Sequence, residues 1–235
     1  MNVTAAILAG GLGTRLRSVV ADRPKVLVPV GGRPYLAYLL DQLAAAAVRE
    51  VVLLTGHEAS QVRDALGDTH AGLSLVYSAE PAPLGTGGAI RHALPHLSAP
   101  MVLLLNGDSY CDVDLEAFAR FHRSESAGGS LVLIRVPDAS RYGQVRLGRT
   151  GRVVRFEEKG ATRGPGWVSA GVYLLDRALV AEVQPGPLSL ERDLLPRWVA
   201  EGRVRGFRCG GRFLDIGTPQ SYALAEQFFQ AAGTS

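Results

Sequence analysis

The sequence contains little cysteine and no long apolar segment. Its two cysteines, Cys111 and Cys209, lie far apart and form no C-x-x-C pair. This spacing argues against a cysteine-based metal site and against a disulfide framework. We expect two reduced thiols, as in cytosolic proteins, although one bridge between them stays open.

Segments that would direct the chain to a membrane are also missing from the pattern. The apolar run Met101–Leu105 is far too short to span a bilayer. The first residues do not combine a charged region with a longer apolar region, as a signal peptide would. We therefore predict a cytoplasmic protein with no membrane partner.

The sequence also lacks a large excess of charge of one sign. The formal net charge is only +3 over 235 residues, and the basic residues are scattered. Proteins that bind nucleic acids usually gather their basic residues into a strip or tail, so we predict no nucleic-acid partner. Lysine occurs only at Lys25 and Lys159, whereas the other 23 of the 25 basic residues are arginines. Because lysine binds phosphate as a compact point charge, these two residues are candidate phosphate ligands.

The hydrophobic fraction of 47% is ordinary for a soluble protein, and its pattern predicts an α/β fold. Short apolar runs alternate with helical patterns through the first half of the chain. This rhythm predicts right-handed crossovers and a Rossmann-like, mostly parallel mixed sheet flanked by helices. The predicted strands are Val3–Ala9, Glu50–Gly56, Leu73–Ser78 and Pro100–Leu105, and the predicted helices are 34–48, 61–66 (capped by Ser60), 88–97 and 114–126.

The second half is richer in strand patterns. Strands are predicted over 130–136, 143–147, 152–158, 168–175 and 204–208, with a hairpin turn at 148–151 and helices over 190–200 and 219–231. Because no linker or repeat interrupts the chain, we predict one domain over residues 1–235. Residues 1–112 would form a nucleotide-binding half and residues 113–235 a β-rich, sugar-binding half.

A glycine-rich loop follows the first predicted strand. Gly10, Gly11 and Gly13 would let backbone N–H groups approach an anion, and Arg15 adds further donors. The loop is neither a dinucleotide fingerprint nor a P-loop, because Leu16 replaces the third glycine and no Gly-Lys-Ser/Thr follows. A tight strand-to-helix turn is the structural alternative.

Several motifs in order along the chain resemble those of the nucleotide-sugar pyrophosphorylase family. The loop Gly10–Leu16 carries the most specific match, and the others are Pro24-Lys25, Pro29-Val30, Leu84–Gly88, Asn106–Asp108, Glu158-Lys159, Ser169–Gly171 and Asp215–Thr218. The resemblance covers nearly the whole chain. It implies an enzyme that transfers a nucleoside monophosphate from an NTP to a sugar 1-phosphate and releases pyrophosphate.

The resemblance also assigns roles. Arg15 and Lys25 would be catalytic, and Asp108 and Asp215 would hold Mg²⁺ or Mn²⁺, since Mg²⁺ prefers carboxylates and phosphate oxygens. The NTP would be bound by Leu8, Gly10, Gly11, Gly13, Thr14, Glu80, Gly85 and Thr86. The sugar phosphate would be bound by Gly143, Glu158, Lys159, Ser169 and Gly171. A family asparagine commonly stands where this chain has Ser169, whose hydroxyl reaches less far.

The base can be argued from Glu80. An ionised carboxylate only accepts hydrogen bonds, and guanine presents two adjacent donors, whereas uracil and thymine present one donor between two acceptors. Relatives that use thymidylyl or uridylyl groups often carry glutamine here, so we predict GTP. A solvent-facing glutamate is the structural alternative.

The sugar and the activity itself have alternatives. The segments Arg15–Lys25, Leu84–Ile90 and Ser189–Asp193 are most similar to family members that use a manno-configured heptose 1-phosphate. Mannose 1-phosphate with GTP and a hexosamine-type sugar phosphate with UTP are the next readings within the family. A catalytically silent nucleotide-sugar-binding module is the reading from another class, and a dinucleotide-dependent oxidoreductase lacks the full glycine fingerprint. The oligomeric state stays open, a homo-oligomer included.

Overall fold

The computed structural model describes residues 1–11, 16, 20, 23–56, 59–149, 151–157 and 163–231. Among these residues the strands are β1 (Val3–Leu8), β2 (Pro29–Val30), β3 (Arg33–Pro34), β4 (Glu50–Thr55), β5 (Thr69–His70), β6 (Leu73–Ala79), β7 (Met101–Asn106), β8 (Ser109–Cys111), β9 (Gly129–Val136), β10 (Gln144–Leu147), β11 (Val153–Glu157), β12 (Gly166–Asp176), β13 (Val204–Arg208) and β14 (Phe213–Asp215). The helices are α1 (Tyr35–Ala45), α2 (Ala59–Leu66), α3 (Gly85–His92), α4 (Leu115–Glu125), α5 (Arg177–Ala181), α6 (Leu195–Ala200), α7 (Pro219–Ala223) and α8 (Ala225–Gln230).

A ten-stranded sheet contains strands from both halves of the chain. Its main path is β11-β10-β12-β7-β1-β4-β6-β5, and β9 pairs with β12 and β13. The strands β7, β1, β4 and β6 run parallel, whereas β12 is antiparallel to β7, β9 and β10. The predicted mostly parallel mixed α/β sheet is therefore confirmed.

Alternating apolar residues build a core on each face of the sheet. In β1, Ala5 and Ile7 pack in one cluster while Ala6 belongs to the other. In β4, Val51 and Leu53 alternate in the same way with Val52 and Leu54. Successive side chains of a strand point to opposite faces, so a strand covered by helices on both faces is apolar throughout. This is why these strands were readable as continuous apolar runs.

Several predicted boundaries were wrong by a few residues. Helix α2 begins at Ala59, so Ser60 lies inside it and does not precede it. The helix predicted over 88–97 begins earlier, at Gly85, and ends at His92; a separate 3₁₀ turn, Leu94–His96, contains Pro95. The helix predicted over 190–200 begins with a π-helical turn, Leu190–Leu194, before α6. The Ser189 hydroxyl caps the start of this turn by accepting a hydrogen bond from the Arg192 N–H.

A small two-stranded ladder was not predicted. Strand β8 pairs in antiparallel fashion with β14, with Cys111 opposite Phe213 and Ser109 opposite Asp215. Three-residue strands are too short for a readable alternation, and their pairing joins segments that are distant in the sequence. This ladder matters because it begins next to Asp108 and ends at Asp215.

Candidate active site

A cleft of about 600 Å³ opens at the carboxyl ends of the parallel strands. Strands β4 and β6 lie on one side of β1 and strand β7 lies on the other, so the strand order reverses beside β1. Ligands of open α/β sheets bind at such a position. The predicted site residues that line the cleft are Leu8, Gly10, Gly11, Lys25, Glu80, Gly85, Thr86, Asp108, Gly143, Ser169, Gly171 and Asp215.

Five predicted site residues lie outside the described residues. They are Gly13, Thr14, Arg15, Glu158 and Lys159. The roles given to them stay predictions.

Two glycines let the backbone pack closely under the cleft. A Cβ at Gly107 would lie 2.3 Å from the Leu8 carbonyl oxygen, and the Gly107 N–H donates to that same oxygen. A Cβ at Gly10 would lie 2.7 Å from the Gly56 nitrogen. Any larger residue would push apart the ends of β1, β4 and β7, so these glycines set the shape of the cleft floor.

Lys25 and Asp108 form an ion pair in the cleft. The Lys25 Nζ lies 2.6 Å from an Asp108 carboxylate oxygen. The lysine side chain is only 10% exposed and that of Asp108 is 40% exposed, so Asp108 keeps a face toward the cleft. Lys25 belongs to a 3₁₀ turn, Lys25–Leu27, whose other two residues are buried in the core. This packing places a positive charge beside the strand end that carries Asp108.

Asp215, which is distant from Asp108 in the sequence, lies at the same part of the cleft. The Ile216 N–H donates to the Asp108 carbonyl oxygen at 2.9 Å, directly after the β8–β14 ladder. The Asp215 carboxylate accepts from the Gly217 N–H and lies 3.6 Å from the Arg141 guanidinium. The ladder therefore brings together two acidic residues that the sequence separates widely, and it adds Arg141, which the sequence did not indicate.

Two carboxylates at this point could take part in holding a divalent cation. Asp108 and Asp215 offer hard oxygen donors to one cleft, and no group of three potential His, Cys, Asp or Glu ligands occurs among the described residues. Mg²⁺ usually takes one or two carboxylates and completes its shell with water and substrate phosphate. Among the described residues, the buried hydroxyl of Tyr35 and the buried Oδ1 of Asn106 have no hydrogen-bond partner. Burial raises the pKa of Tyr35, and the negative charges of Asp108 and Asp215 raise it further.

Glu80 stands directly after β6 at the rim of the cleft. One of its carboxylate oxygens accepts a hydrogen bond from the Leu84 N–H at 2.7 Å. Partial burial raises the pKa of Glu80, while this hydrogen bond and the charge of His92 oppose the rise. The bond to Leu84 fixes the direction of the carboxylate, so Glu80 is a held acceptor and not a freely rotating surface side chain.

The Leu84–Gly88 motif packs against a segment near residue 188. The Gly87 N–H donates to the Leu188 carbonyl oxygen, and a Cβ at Gly85 would lie 2.7 Å from that oxygen. The Thr86 hydroxyl accepts from the Leu190 N–H and donates to the Glu191 carboxylate, both at 2.7 Å. The motif thus joins α3 to the π-helical turn as well as lining the cleft, and it brings Glu191 into the cleft wall.

A bulge in β12 forms the opposite wall. The pairing of β12 with β9 shifts register between Ser169 and Tyr173, and Gly171 adopts a φ of +74° within that shift. The Ser169 hydroxyl donates to the Tyr173 hydroxyl at 3.1 Å and accepts from the Gly171 N–H. β-Bulges redirect side chains and backbone next to active sites. Here the bulge turns Ser169 and Gly171 toward the cleft.

Gly143 faces this wall from the start of β10. Its carbonyl oxygen accepts from the Ser169 N–H at 3.0 Å, and a Cβ on it would lie 2.8 Å from the Phe156 ring. The cleft wall also contains Tyr142, Phe156, Tyr173 and Phe213, which were not predicted as site residues. Aromatic rings one or two positions from glycines or acidic residues are also common in cores, so the sequence alone gave no reason to choose them.

The chain matches a known family along nearly its full length. The family model described as nucleotidyl transferase matches residues 4–232. The chain belongs to this family.

Nucleotidyl transferases with similar sequences include two named enzymes. The D-glycero-alpha-D-manno-heptose 1-phosphate guanylyltransferase of Aneurinibacillus thermoaerophilus is 36% identical over 227 residues, which cover 96% of this chain and 98% of the relative. The mannose-1-phosphate guanylyltransferase of Mycobacterium tuberculosis is 35% identical over 94% of this chain, but the match covers only 62% of that relative.

A solved structure is similar in fold and sequence. HddC from Yersinia pseudotuberculosis has a TM-score of 0.87 and 33% identity, with 97% of this chain and 99% of that chain covered. Its complex with GMP-PN gives a TM-score of 0.86. The nucleotidyl transferase fold therefore extends over both walls of the cleft. No described helix in this chain is long and apolar enough to cross a membrane.

Proposed function

We propose that this nucleotidyl transferase moves GMP from GTP to D-glycero-α-D-manno-heptose 1-phosphate and releases pyrophosphate. The observation that carries the proposal is the cleft itself. It combines a fixed acceptor, Glu80, with the Lys25–Asp108 pair, the second carboxylate Asp215 and the bulge at Gly171. The full-length similarity to a heptose 1-phosphate guanylyltransferase and the GMP-PN complex of HddC support this substrate pair.

The chemistry requires little from a general base. A sugar 1-phosphate has a second pKa of about 6, so it is mostly a dianion at neutral pH. Its oxygen attacks the α-phosphorus of GTP, a new P–O bond forms, and the bond to the bridging oxygen of pyrophosphate breaks. Since two anions must meet in line, the protein contributes mainly by positioning the reactants and by countering their negative charge.

Different residues of the described cleft would bind the base, the phosphates, the metal ion and the sugar phosphate. Lys25 is a nearly buried cation that would lie along the reacting phosphates, and Glu80 would accept from the guanine N1–H and N2–H groups. The backbone at Gly143, Ser169 and Gly171 would bind the sugar phosphate. Asp108 and Asp215 would hold Mg²⁺, which when bound supplies positive charge to the phosphate oxygens. Arg15, Glu158 and Lys159 would add the contacts that the family resemblance gives them.

Pyrophosphate release tests the proposal directly. GTP, UTP, CTP, ATP and dTTP should each be assayed with Mg²⁺ against a panel of sugar 1-phosphates that includes heptose and mannose. We expect the highest kcat/KM for GTP with the manno-configured heptose 1-phosphate. A higher kcat/KM with another pair would change the proposed substrates but would still support nucleotidyl transfer to a sugar 1-phosphate. Absence of release with every pair, together with tight nucleotide binding, would favour a binding module.

Mannose 1-phosphate with GTP is a second candidate substrate pair. It is favoured by the 35% identity to a mannose-1-phosphate guanylyltransferase. The two sugars share their ring configuration and differ in the chain beyond C5. Competition between the two sugar phosphates for GTP would therefore give the ratio of their kcat/KM values, which measures the contribution of the extra carbon of heptose to recognition.

A further inference from the structure

The two cysteines of the chain meet in the folded protein. Cys111 is buried at the end of β8, whereas Cys209 follows β13 and is half-buried; both are free thiols. Burial raises the pKa of the Cys111 thiol, and the charge and hydrogen bonding of Cys209 raise it further. The Cys209 sulfur also lies 3.4 Å from the carbonyl oxygen of Asp112, the neighbour of Cys111. Cys209 also packs against the apolar cluster that contains Cys111, so the two thiols are neighbours in the fold.

The pair connects two separate parts of the structure. Cys111 belongs to the β8–β14 ladder, which begins beside Asp108 and ends at Asp215. Cys209 belongs to the large sheet, because its N–H donates to the Leu133 carbonyl oxygen of β9 at 2.8 Å. The ladder is short, and a covalent bond between the two sulfurs would fix it to the sheet just behind the acidic residues of the cleft.

We propose that Cys111 and Cys209 form a reversible disulfide that links the ladder carrying the two acidic residues to the main sheet. Half-buried Cys209 is the thiol that a small oxidant reaches first, and buried Cys111 is the resolving thiol. In a protein kept reduced by its surroundings, a disulfide of this kind is usually transient and redox-sensing.

The exchange is balanced with a low-molecular-weight disulfide such as oxidised glutathione. The Cys209 thiolate attacks one sulfur of glutathione disulfide, forms a mixed disulfide and releases one glutathione thiolate. The Cys111 thiol then loses its proton and attacks the Cys209 sulfur, which releases the second glutathione. The protein loses two hydrogens as its thiols are oxidised, and the glutathione disulfide is reduced to two thiols.

Closing the bond must move the ladder. A disulfide requires an S–S length of about 2.05 Å, much shorter than the contact between two thiols. Displacements of about 1 Å in a catalytic site can reduce turnover about 100-fold. We therefore expect oxidation to lower kcat at least about 10-fold by shifting Asp108 and Asp215 together relative to the rest of the cleft. The closed loop of about 100 residues should also raise the Tm by roughly 5–10 °C.

The experiment oxidises the full-length protein with oxidised glutathione and follows three readouts. Intact mass should fall by two hydrogens without retained glutathione, and peptide mapping should join the Cys111 and Cys209 peptides. The Tm should rise, and dithiothreitol should reverse both changes. Turnover should fall and recover in parallel; this readout alone depends on the proposed function, since mass and Tm do not require a known substrate.

Two variants serve as controls. Cys209→Ser keeps the buried core thiol and should have unchanged basal turnover and no response to the oxidant. Cys111→Ala should retain a glutathione adduct at Cys209 because the resolving thiol is absent. A wild-type protein that keeps both thiols, stops at the mixed disulfide or links only between molecules would overturn the proposal. An intramolecular bond with unchanged turnover would overturn its effect on the cleft, whereas a protein inactive in every state would count against the proposed function only.

Discussion

The two walls of the cleft are built by different means. On the β1, β4, β6 and β7 wall, the ends of parallel strands deliver short loops whose glycines let backbones touch, as at Gly10 and Gly107. On the β10–β12 wall, antiparallel strands deliver a bulge, a left-handed glycine and aromatic rings. The first wall depends on the general geometry of a parallel sheet, whereas the second depends on one local irregularity.

This difference predicts different sensitivities. Substitutions at the parallel wall that remove charge should reduce the chemical step and leave the fold intact. Substitutions at the bulge should affect stability and sugar binding together, because the same backbone serves both. The following changes test that contrast, beginning with the largest expected effect.

Asp108→Asn removes the carboxylate that pairs with Lys25 and would hold the metal. Loss of the carboxylate that would hold a cation against the reacting phosphates should lower kcat by about 100- to 1000-fold, with little change in the urea midpoint. Asp112→Asn is the matched control, because Asp112 pairs with Arg212 and does not line the cleft. Unchanged turnover of Asp108→Asn at saturating Mg²⁺ would remove Asp108 from this role.

Gly171→Ala tests the bulge. The residue has a φ of +74°, and a Cβ would lie 2.6 Å from the Ser109 hydroxyl oxygen and 2.9 Å from the Asn106 Cβ. Strain and overlap together should lower the free energy of unfolding by about 2–4 kcal/mol and raise KM for the sugar phosphate more than KM for GTP. Urea denaturation and steady-state kinetics measure the two effects.

Gly72→Ala provides the comparison for Gly171. Gly72 also has a left-handed φ, of +83°, but a Cβ there meets nothing within 4 Å. The free energy of unfolding should therefore fall by only about 1–2 kcal/mol, the cost of the left-handed backbone conformation alone. Equal losses in the two variants would show that close packing around Gly171 contributes nothing beyond its backbone conformation.

Glu80→Gln tests base selection at the parallel wall. Glutamine offers a donor as well as an acceptor, so it loses complementarity to the two adjacent donors of guanine. The ratio of kcat/KM for GTP over UTP should fall about 10- to 100-fold, the range expected for one well-placed pair of hydrogen bonds. Glu182→Gln, at a residue that pairs with Arg203 outside the cleft lining, should leave the ratio unchanged. A constant ratio in Glu80→Gln would refute the base-reading role.

The smallest expected effect is the pH dependence of this preference. Burial raises the pKa of Glu80 above the ordinary glutamate value of 4.5. As the pH falls through the raised pKa, the carboxylate gains a proton and loses its acceptor character. The GTP/UTP ratio should therefore begin to fall at a higher pH than for an ordinary glutamate, and by less than in Glu80→Gln. The ratio in Glu80→Gln itself should be flat over the same range, and a parallel decline there would assign the pH effect to another group.

The long buried strands and the glycine motifs were predictable because their signals are local. Strands β1, β4 and β7 bury both faces, so their apolar runs were visible without any tertiary information. The β8–β14 ladder, the Arg141–Asp215 contact and the π-helical turn were not, since each depends on a partner distant in sequence or on a turn that shares its pattern with an α-helix. Thr86 was predicted to bind the nucleotide, and the structure shows that its hydroxyl makes two hydrogen bonds to residues 190 and 191.

The sequence by itself determined the α/β class, the alternation of apolar strands and helices in the first half, and the polar residues at the strand ends. It did so because burial and backbone freedom are properties of each segment. Only the tertiary structure decided which of these residues share a cleft, that one ladder holds Asp108 and Asp215, and that Cys209 packs against the cluster containing Cys111. Those contacts depend on the register of a three-residue ladder and on one bulge, and neither leaves a periodic signal in the chain.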